Sequence, residues 1–236
     1  METSFRSDPG RAMRDYREQG FHIEDGLIAD DMIERVMATA MAHANAKGGI
    51  YPPIPMPHRT DPAFLDMMRY QPIVAIVERI LGGTASGLGG EFFYMKPGTL
   101  GFLSHQDNAY VQAPPDAFLS AWTALTDINA DNGALIFYPG THKLGALATR
   151  EVARPTGPGQ NPGAQATECI MPGELPGVTM SLRRGSTVFF HSQLVHSSND
   201  NRSDKFRYSF LATYLLKGAP FRAGEAQQRK EVELRA

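Results

Sequence analysis

The sequence predicts a mainly β protein, a sandwich or jelly roll with helices at its N-terminal end, on three observations. From residue 84 onward, short apolar and aromatic runs follow one another: "GEFFYMKPG", "FLSAWTALTDI", "GALIFYPG", "GSTVFFHS" and "FRYSFLATYLL". Each is bounded by Gly, Pro, Asn or Asp, the pattern of strands separated by turns. No helical pattern intervenes between them, which argues against alternating βαβ units. Before residue 84 the apolar spacing is helical instead. At 236 residues the chain fits one large β domain.

The elements can be justified in order. The first 48 residues look helical. In "DDMIERVMATAMAHANAKGG", Met32, Ile33, Val36, Met37, Ala40 and Met41 form one apolar stripe. Asp31 followed by Glu34 resembles a capping-box start, and Gly48-Gly49 a stop. Residues 51–62, "YPPIPMPHRTDP", carry five prolines and form a stiff loop that holds His58 and Arg59. A second helix is expected over 63–81, ending at Gly82-Gly83. The strand series follows. It is interrupted at 154–177, where five Pro and five Gly mark a lid or binding loop.

Composition excludes several classes. Apolar content of 42%, charged content of 20%, a net charge of −2 and a pI near 6.4 leave no basic footprint for nucleic acid or anionic membrane. No apolar run approaches the length of a membrane-crossing helix. The N-terminal "METSFRSDPGRAMRDYREQG" lacks the apolar core of a signal peptide. The lone Cys169 excludes an internal disulfide and a multi-cysteine zinc site. A reduced, cytoplasmic protein is the simplest reading. Oligomeric state is not readable. Any metal must be held by His, Asp or Glu.

The stretch "SHQDNAYVQ" offers His105 and Asp107. With 7 His and 13 Asp in the chain, roughly 0.4 His-x-Asp pairs arise by chance, so the tripeptide alone means little. On a strand, i and i+2 share a face, and both side chains could reach one ion. A third ligand must come from a distant segment. His22 and His43 lie in the helical region and look solvated, His58 is in the proline loop, and His142 in "YPGTHK" more simply fixes a turn. His191 and His196 remain, in "FFHSQLVHSS". Each histidine alone reads most simply as structural. Two histidines with one carboxylate, however, make the facial triad of non-haem Fe(II) oxygenases. A 2-oxo acid cosubstrate would then need a cation for its far carboxylate, which an Arg fork suits best. Arg207 lies eleven residues beyond His196, and Ser198 could add a hydroxyl.

"HQD", then "SAWTALTDINADNGALIFYPGTHK", then "GSTVFFHSQLVHSSNDNRSDKFRYSFLATY" together resemble the phytanoyl-CoA dioxygenase family. "YREQGFHIEDGLIADDMIERV" resembles that family's strand-helix opening, and "FFYMKPGT" its strand before the first ligand. The resemblance implies a double-stranded β-helix (jelly roll, cupin-like) with N-terminal helices packed on one sheet. It implies one domain over 1–236, with 1–83 mostly helical support and 84–218 the jelly-roll core. It implies an Fe(II)- and 2-oxoglutarate-dependent dioxygenase that uses O2 to hydroxylate an unactivated C–H bond while 2-oxoglutarate becomes succinate. Position by position it implies His105, Asp107 and His196 as iron ligands. Arg207 and Ser198 would bind the distal carboxylate of 2-oxoglutarate, with Trp122 beside the cosubstrate or in the core. Gln106, Asn108, Tyr110 and Arg59 are expected to face substrate, and Arg183-Arg184 are further candidates. Asp107 argues for oxygenation, because halogenating relatives carry a small residue there. The chain has little after its last strand, which leaves the cover over the substrate in question. Rival readings are a non-catalytic jelly-roll binding module and a cupin-like metalloenzyme that does not use 2-oxoglutarate.

Overall fold

The computed structural model describes residues 4–47, 54–153 and 167–235. The Gly48-Gly49 stop, residues 51–53 of the proline loop and residues 154–166 of the long Gly/Pro loop lie outside them. Helix α1, Pro9–Gln19, starts with Asp8 accepting a hydrogen bond from the Arg11 N–H at 3.0 Å. It stops at Gly20, whose φ is +87°. A Cβ at Gly20 would stand 2.5 Å from His142 Nδ1, so both the turn and the close approach require glycine. Strand β1, Phe21–Glu24, follows at once. The helical reading of the first 48 residues misses it because four alternating residues are too few to break a helical pattern. His22, expected in solvent, is instead buried and lies 3.1 Å from Glu24 Oε1.

Helix α2, Asp30–Ala42, buries Met32, Ile33, Val36 and Ala40, most of the predicted stripe. It begins two residues early, at Asp30, with Ala29 at the cap position and no side-chain cap. Asp30 and Asp31 sit inside the first turn, where carboxylates favour the helix dipole without capping. The helix expected over 63–81 is two: α3, Pro62–Met68, and α4, Gln71–Leu81. Pro72 has no N–H to donate to the Met68 carbonyl, so the helix cannot run through. Tyr214 Oη donates to that carbonyl instead, at 2.9 Å.

After the two-residue strand β2, Ile54–Pro55, the sheets are built from β3 (Ala85–Met95), β4 (Phe118–Ala124), β5 (Leu135–Phe137), β6 (Thr149–Glu151), β7 (Thr167–Cys169), β8 (Val178–Thr179), β9 (Thr187–His191), β10 (His196–Ser198), β11 (Arg207–Leu216) and β12 (Val232–Glu233). The main sheet is antiparallel in the order β1-β9-β4-β11-β3-β12, with β2 also on β3. A second antiparallel sheet runs β10-β5-β8, and β6 pairs with β7. This is the mainly β, jelly-roll architecture with N-terminal helices that the sequence predicts. The main sheet draws β1 from the helical segment and β12 from beyond residue 218, outside the expected core boundaries.

Alternation along the central strands separates two faces. Phe92, Tyr94, Leu119, Ala121, Phe189, Phe210, Ala212 and Tyr214 pack with the helices. From the opposite face, Trp122, Ala124, Val188 and Phe190 meet Leu135 and Phe137 of the second sheet. The same face opens into a cavity between the sheets. Among the described residues no helix is long and apolar enough to cross a membrane.

Candidate metal centre

His105 and His196 are far apart in sequence but are cross-strand partners. The His105 N–H donates to the His196 carbonyl at 2.9 Å, and the His196 N–H returns to the His105 carbonyl at 3.0 Å. Gly101 lets the two segments lie this close, because a Cβ there would overlap the Ser198 and Asn199 carbonyls. The imidazole centroids are 4.1 Å apart. Asp107 is not on a strand. It precedes the helical turn Asn108–Val111 and has helical dihedrals, φ −59° and ψ −32°. The bend after His105, not strand alternation, therefore brings Asp107 alongside it.

The three side chains converge. Asp107 Oδ1 lies 3.8 Å from His105 Nε2 and 3.6 Å from His196 Nε2. One ligand atom from each residue lies within 4.8 Å of the others. Backbone carbonyls set the outward nitrogens: His105 Nδ1 is 2.7 Å from the Leu103 carbonyl, and His196 Nδ1 is 3.0 Å from that of Leu194. A carbonyl only accepts, so each Nδ1 carries the hydrogen and each Nε2 presents a lone pair. Ser120 Oγ donates to Asp107 Oδ2 at 2.5 Å, which leaves Oδ1 turned to the histidines. Burial and then the nearby His105 charge hold His196 well below the ordinary histidine range, more than Asp107 and the Leu194 carbonyl restore. A neutral imidazole is the form that binds metal. Two imidazoles and one carboxylate, with no thiolate, fit an open Fe(II) site.

A cavity of about 390 Å³ includes all three residues in its wall. Arg207, Leu211 and Thr213 of β11 line it, as do Gly89, Glu91 and Phe93 of β3. Arg207 is buried. Its Nη1 donates to Ser209 Oγ at 2.6 Å, its Nη2 lies 2.9 Å from Met95 Sδ, and its Cζ sits 5.3 Å from the centroid of the Trp122 ring. Ser198 Oγ accepts the Phe102 N–H at 2.7 Å, so its own hydrogen remains for a group in the cavity. Trp122 is both core and lining: it packs with Ile128 and Val188 and also reaches the cavity.

The structure divides the expected substrate residues. Tyr110 lines the cavity and is 53% exposed. Gln106 is outside the lining. Its Nε2 donates to the Gly145 and Gln193 carbonyls at 2.9 and 2.6 Å, and its Oε1 accepts the Leu147 N–H at 2.9 Å. It sits between two residues that turn inward, so its amide points into the protein and ties loops together. Asn108 closes its own turn, with two hydrogen bonds to the Ala113 backbone at 2.9 and 3.0 Å. Arg59 donates to the Gln228 carbonyl at 2.9 Å, outside the lining. Arg183 and Arg184 form surface ion pairs with Asp25, Asp30 and Glu34, and they do not line the cavity either. His142 Nε2 meets the Arg17 carbonyl at 3.0 Å and joins its turn to α1.

Two contributors escaped the sequence reading. Glu91 stands on the cavity wall, and its signal was a lone carboxylate inside the Gly-aromatic run "SGLGGEFFYM". Burial first, and then the Asp107 charge, push its carboxyl up to about 7, opposed by Arg229. The segment after β11 is the other. It returns over the cavity mouth, where Arg222, Glu225, Gln227 and Arg229 line the wall, and ends paired to β3. The Arg222 N–H donates to the Val111 carbonyl at 2.6 Å, fastening this cover to the turn after Asp107. No motif marks it, but it supplies the cover that the short C-terminal stretch put in question.

The family model described as phytanoyl-CoA dioxygenase (PhyH) matches residues 16–209. A probable phytanoyl-CoA dioxygenase of Caenorhabditis elegans is 32% identical over 162 residues, 65% of this chain and 51% of that protein. The peroxisomal phytanoyl-CoA dioxygenase of Rattus norvegicus is 35% identical over 111 residues, 47% of this chain and 32% of the relative. The chain thus spans about half or less of the length of these relatives. Among solved structures, the epimerase SnoN in complex with Fe3+, alpha ketoglutarate and nogalamycin RO superposes with a TM-score of 0.73 at 23% identity, over 90% of this chain and 85% of that one. EvdO2 from Micromonospora carbonacea var. aurantiaca, complexed with 2-oxoglutarate, gives 0.73 at 19% identity over 95% and 96%. At these identities the two structures show a shared fold.

Proposed function

We propose, from the premise that this chain belongs to the phytanoyl-CoA dioxygenase family, that it is a non-haem Fe(II)/2-oxoglutarate-dependent dioxygenase. Its substrate is a small-molecule metabolite or natural-product intermediate, oxidised at an unactivated C–H bond. The observation that carries this reading is one cavity wall holding a two-histidine, one-carboxylate cluster together with a buried arginine. A reduced, cytoplasmic setting suits the single cysteine.

His105, Asp107 and His196 would hold Fe(II). With 2-oxoglutarate and O2, the metal supplies the oxidising power for C–H cleavage, and the cosubstrate leaves as succinate and CO2. The protein's own work is positional. The Leu103 and Leu194 carbonyls fix the two rings, and Ser120 fixes the aspartate. Arg207 offers a buried cation to the far carboxylate of the cosubstrate, and Ser198 a hydroxyl. Trp122, Leu135, Phe190 and Leu211 form an apolar wall around them that limits water. Arg207 favours this reading over a binding module or a cupin-like metalloenzyme that does not use 2-oxoglutarate, since neither needs a buried cation in the same cavity.

The test is anaerobic addition of Fe(II) and 2-oxoglutarate. The expected result is the weak visible charge-transfer band of the chelate, followed by succinate when air is admitted. Absence of both sinks the oxygenase reading. Arg207→Ala should raise the 2-oxoglutarate requirement on the order of a hundredfold, the scale for removing one charge-assisted partner. A normal cosubstrate response in that variant removes the assignment of Arg207.

A further inference from the structure

Among the described residues, Glu91 is the one acidic residue that the strands put on the cavity wall, between Gly89 and Phe93 on β3 and across from Leu211 on β11. It is not part of the His105, Asp107, His196 cluster. Among the described residues, no hydrogen bond or ion pair to its carboxylate is found, although the other polar groups nearby are engaged. Arg229 Nη1 reaches the Tyr110 and Ala223 carbonyls at 3.3 and 3.4 Å, and Thr213 Oγ1 reaches the Gly89 carbonyl at 3.3 Å. Gly89 lets Met56 and Thr213 close in beside Glu91, since a Cβ there would stand 3.2 Å from Met56 Cε and from Thr213 Oγ1. A carboxylate taken partly out of water with no hydrogen bond, and only the nearby Arg229 charge to offset its burial, is costly to keep, and a purely hydrocarbon ligand would worsen it. A ligand that brings a donor reverses the sign.

We propose that Glu91 selects the substrate, by accepting a hydrogen bond from a hydroxyl or ammonium group of a polar molecule lying along β3 towards the mouth. This deepens the oxygenase reading and rests on it for the word substrate; the binding preference itself stands on geometry. The substrate class is therefore donor-bearing, a polyol or amine derivative, and not a bare hydrocarbon chain. Arg222, Glu225, Gln227 and Arg229 give the mouth enough polar surface to accept the rest of such a molecule.

Trp122 is the single tryptophan of the chain and lines this cavity, so its fluorescence reports binding without turnover. Four probes of similar size serve: hexylammonium, 1-hexanol, methyl pentyl ether and hexanoate. In the wild type at pH 8.5, where Glu91 is ionised, hexylammonium should bind roughly tenfold more tightly than the ether, the scale of one charge-assisted hydrogen bond, and 1-hexanol a few-fold more tightly. Glu91→Leu should erase both preferences. Glu91→Gln should cut the ammonium preference to the few-fold level of the alcohol, because an amide oxygen still accepts but carries no charge. A preference for only one donor probe supports the proposal and fixes which donor the substrate carries. Equal binding of the ether, tighter binding of hexanoate when 2-oxoglutarate already fills the Arg207 end, or a preference that survives in Glu91→Leu overturns it. Failure of the iron and 2-oxoglutarate band in the wild type would sink the oxygenase reading while leaving this binding result to be judged separately.

Discussion

At the inner end of the cavity each candidate ligand side chain is held by a neighbour: His105 by Leu103, His196 by Leu194, Asp107 by Ser120. At the outer end, Tyr110 is largely exposed, and among the described residues Glu91 has no side-chain hydrogen bond and the Arg229 guanidinium makes only long hydrogen bonds, to backbone carbonyls. The inner end lies between paired strands, and the outer end depends on a cover with one short strand at its close. The contrast matches what the proposed function asks of each end. Metal chemistry tolerates little positional error, so its ligands need second partners. Substrate recognition can be rebuilt with different side chains on the same frame.

The largest effect that can break this contrast is the loss of a ligand. His196→Ala should abolish both Fe(II) binding and succinate formation, beyond the ~10–100-fold that loss of an outer partner costs. Metal titration followed by a succinate assay measures it. Retention of both would show that the fixed inner end is not a metal site. Next in size is Ser120→Ala. With its Oδ2 partner gone, Asp107 is free to turn, and Fe(II) affinity should fall roughly tenfold while the fold persists. An unchanged affinity would mean that the inner end is no more preorganised than the outer.

The same contrast explains what could be read in the sequence. His105, Asp107, His196, Ser198 and Arg207 lie in two short segments with fixed spacing, and strand pairing turns that spacing into proximity. The structure then gathers all five on one cavity wall. The outer end has no such grammar. Glu91 is a single carboxylate in a strand, and Arg222 and Arg229 come from a polar stretch that reads as a tail. Gln106 misled in the other direction: next to two ligand candidates it looked substrate-facing, but alternate residues around a bend point opposite ways. The split of the second predicted helix was readable in Pro72, whereas β1 was not, being only four residues long.

Gln106→Ala sharpens the comparison by asking on which side of the wall that residue works. Removing its amide leaves the Gly145 and Gln193 carbonyls and the Leu147 N–H without their partner. The cost should be roughly 2–3 kcal/mol of stability, read by denaturant unfolding. A changed substrate preference with no loss of stability would return Gln106 to the substrate side.

The smallest effect concerns the floor beneath the outer end. His58 is 4% exposed, and among the described residues neither of its ring nitrogens has a hydrogen-bond partner. It packs against Gly90 on the face of β3 away from the cavity, and its neighbour Arg59 holds the cover through the Gln228 carbonyl. Burial first, and then the Arg59 charge, lower its pKa from 6.5 to about 4. The folded protein thus keeps His58 neutral, while the unfolded chain protonates it near pH 6.5. Its share of stability is whole above pH 6.5 and is lost progressively as pH falls towards 4, by roughly 3 kcal/mol at most. His58→Leu removes the two unpartnered nitrogens and should stabilise by about 1 kcal/mol at pH 7. The same variant should also flatten the decline of Tm between pH 6.5 and 4.5. His142 and His191 are lowered by burial as well, so a residual slope should remain. A variant whose Tm falls as steeply as the wild type would mean that His58 meets water in solution. The outer end would then be loose down to its floor, and the division between a fixed and an adaptable end would run along β3 itself.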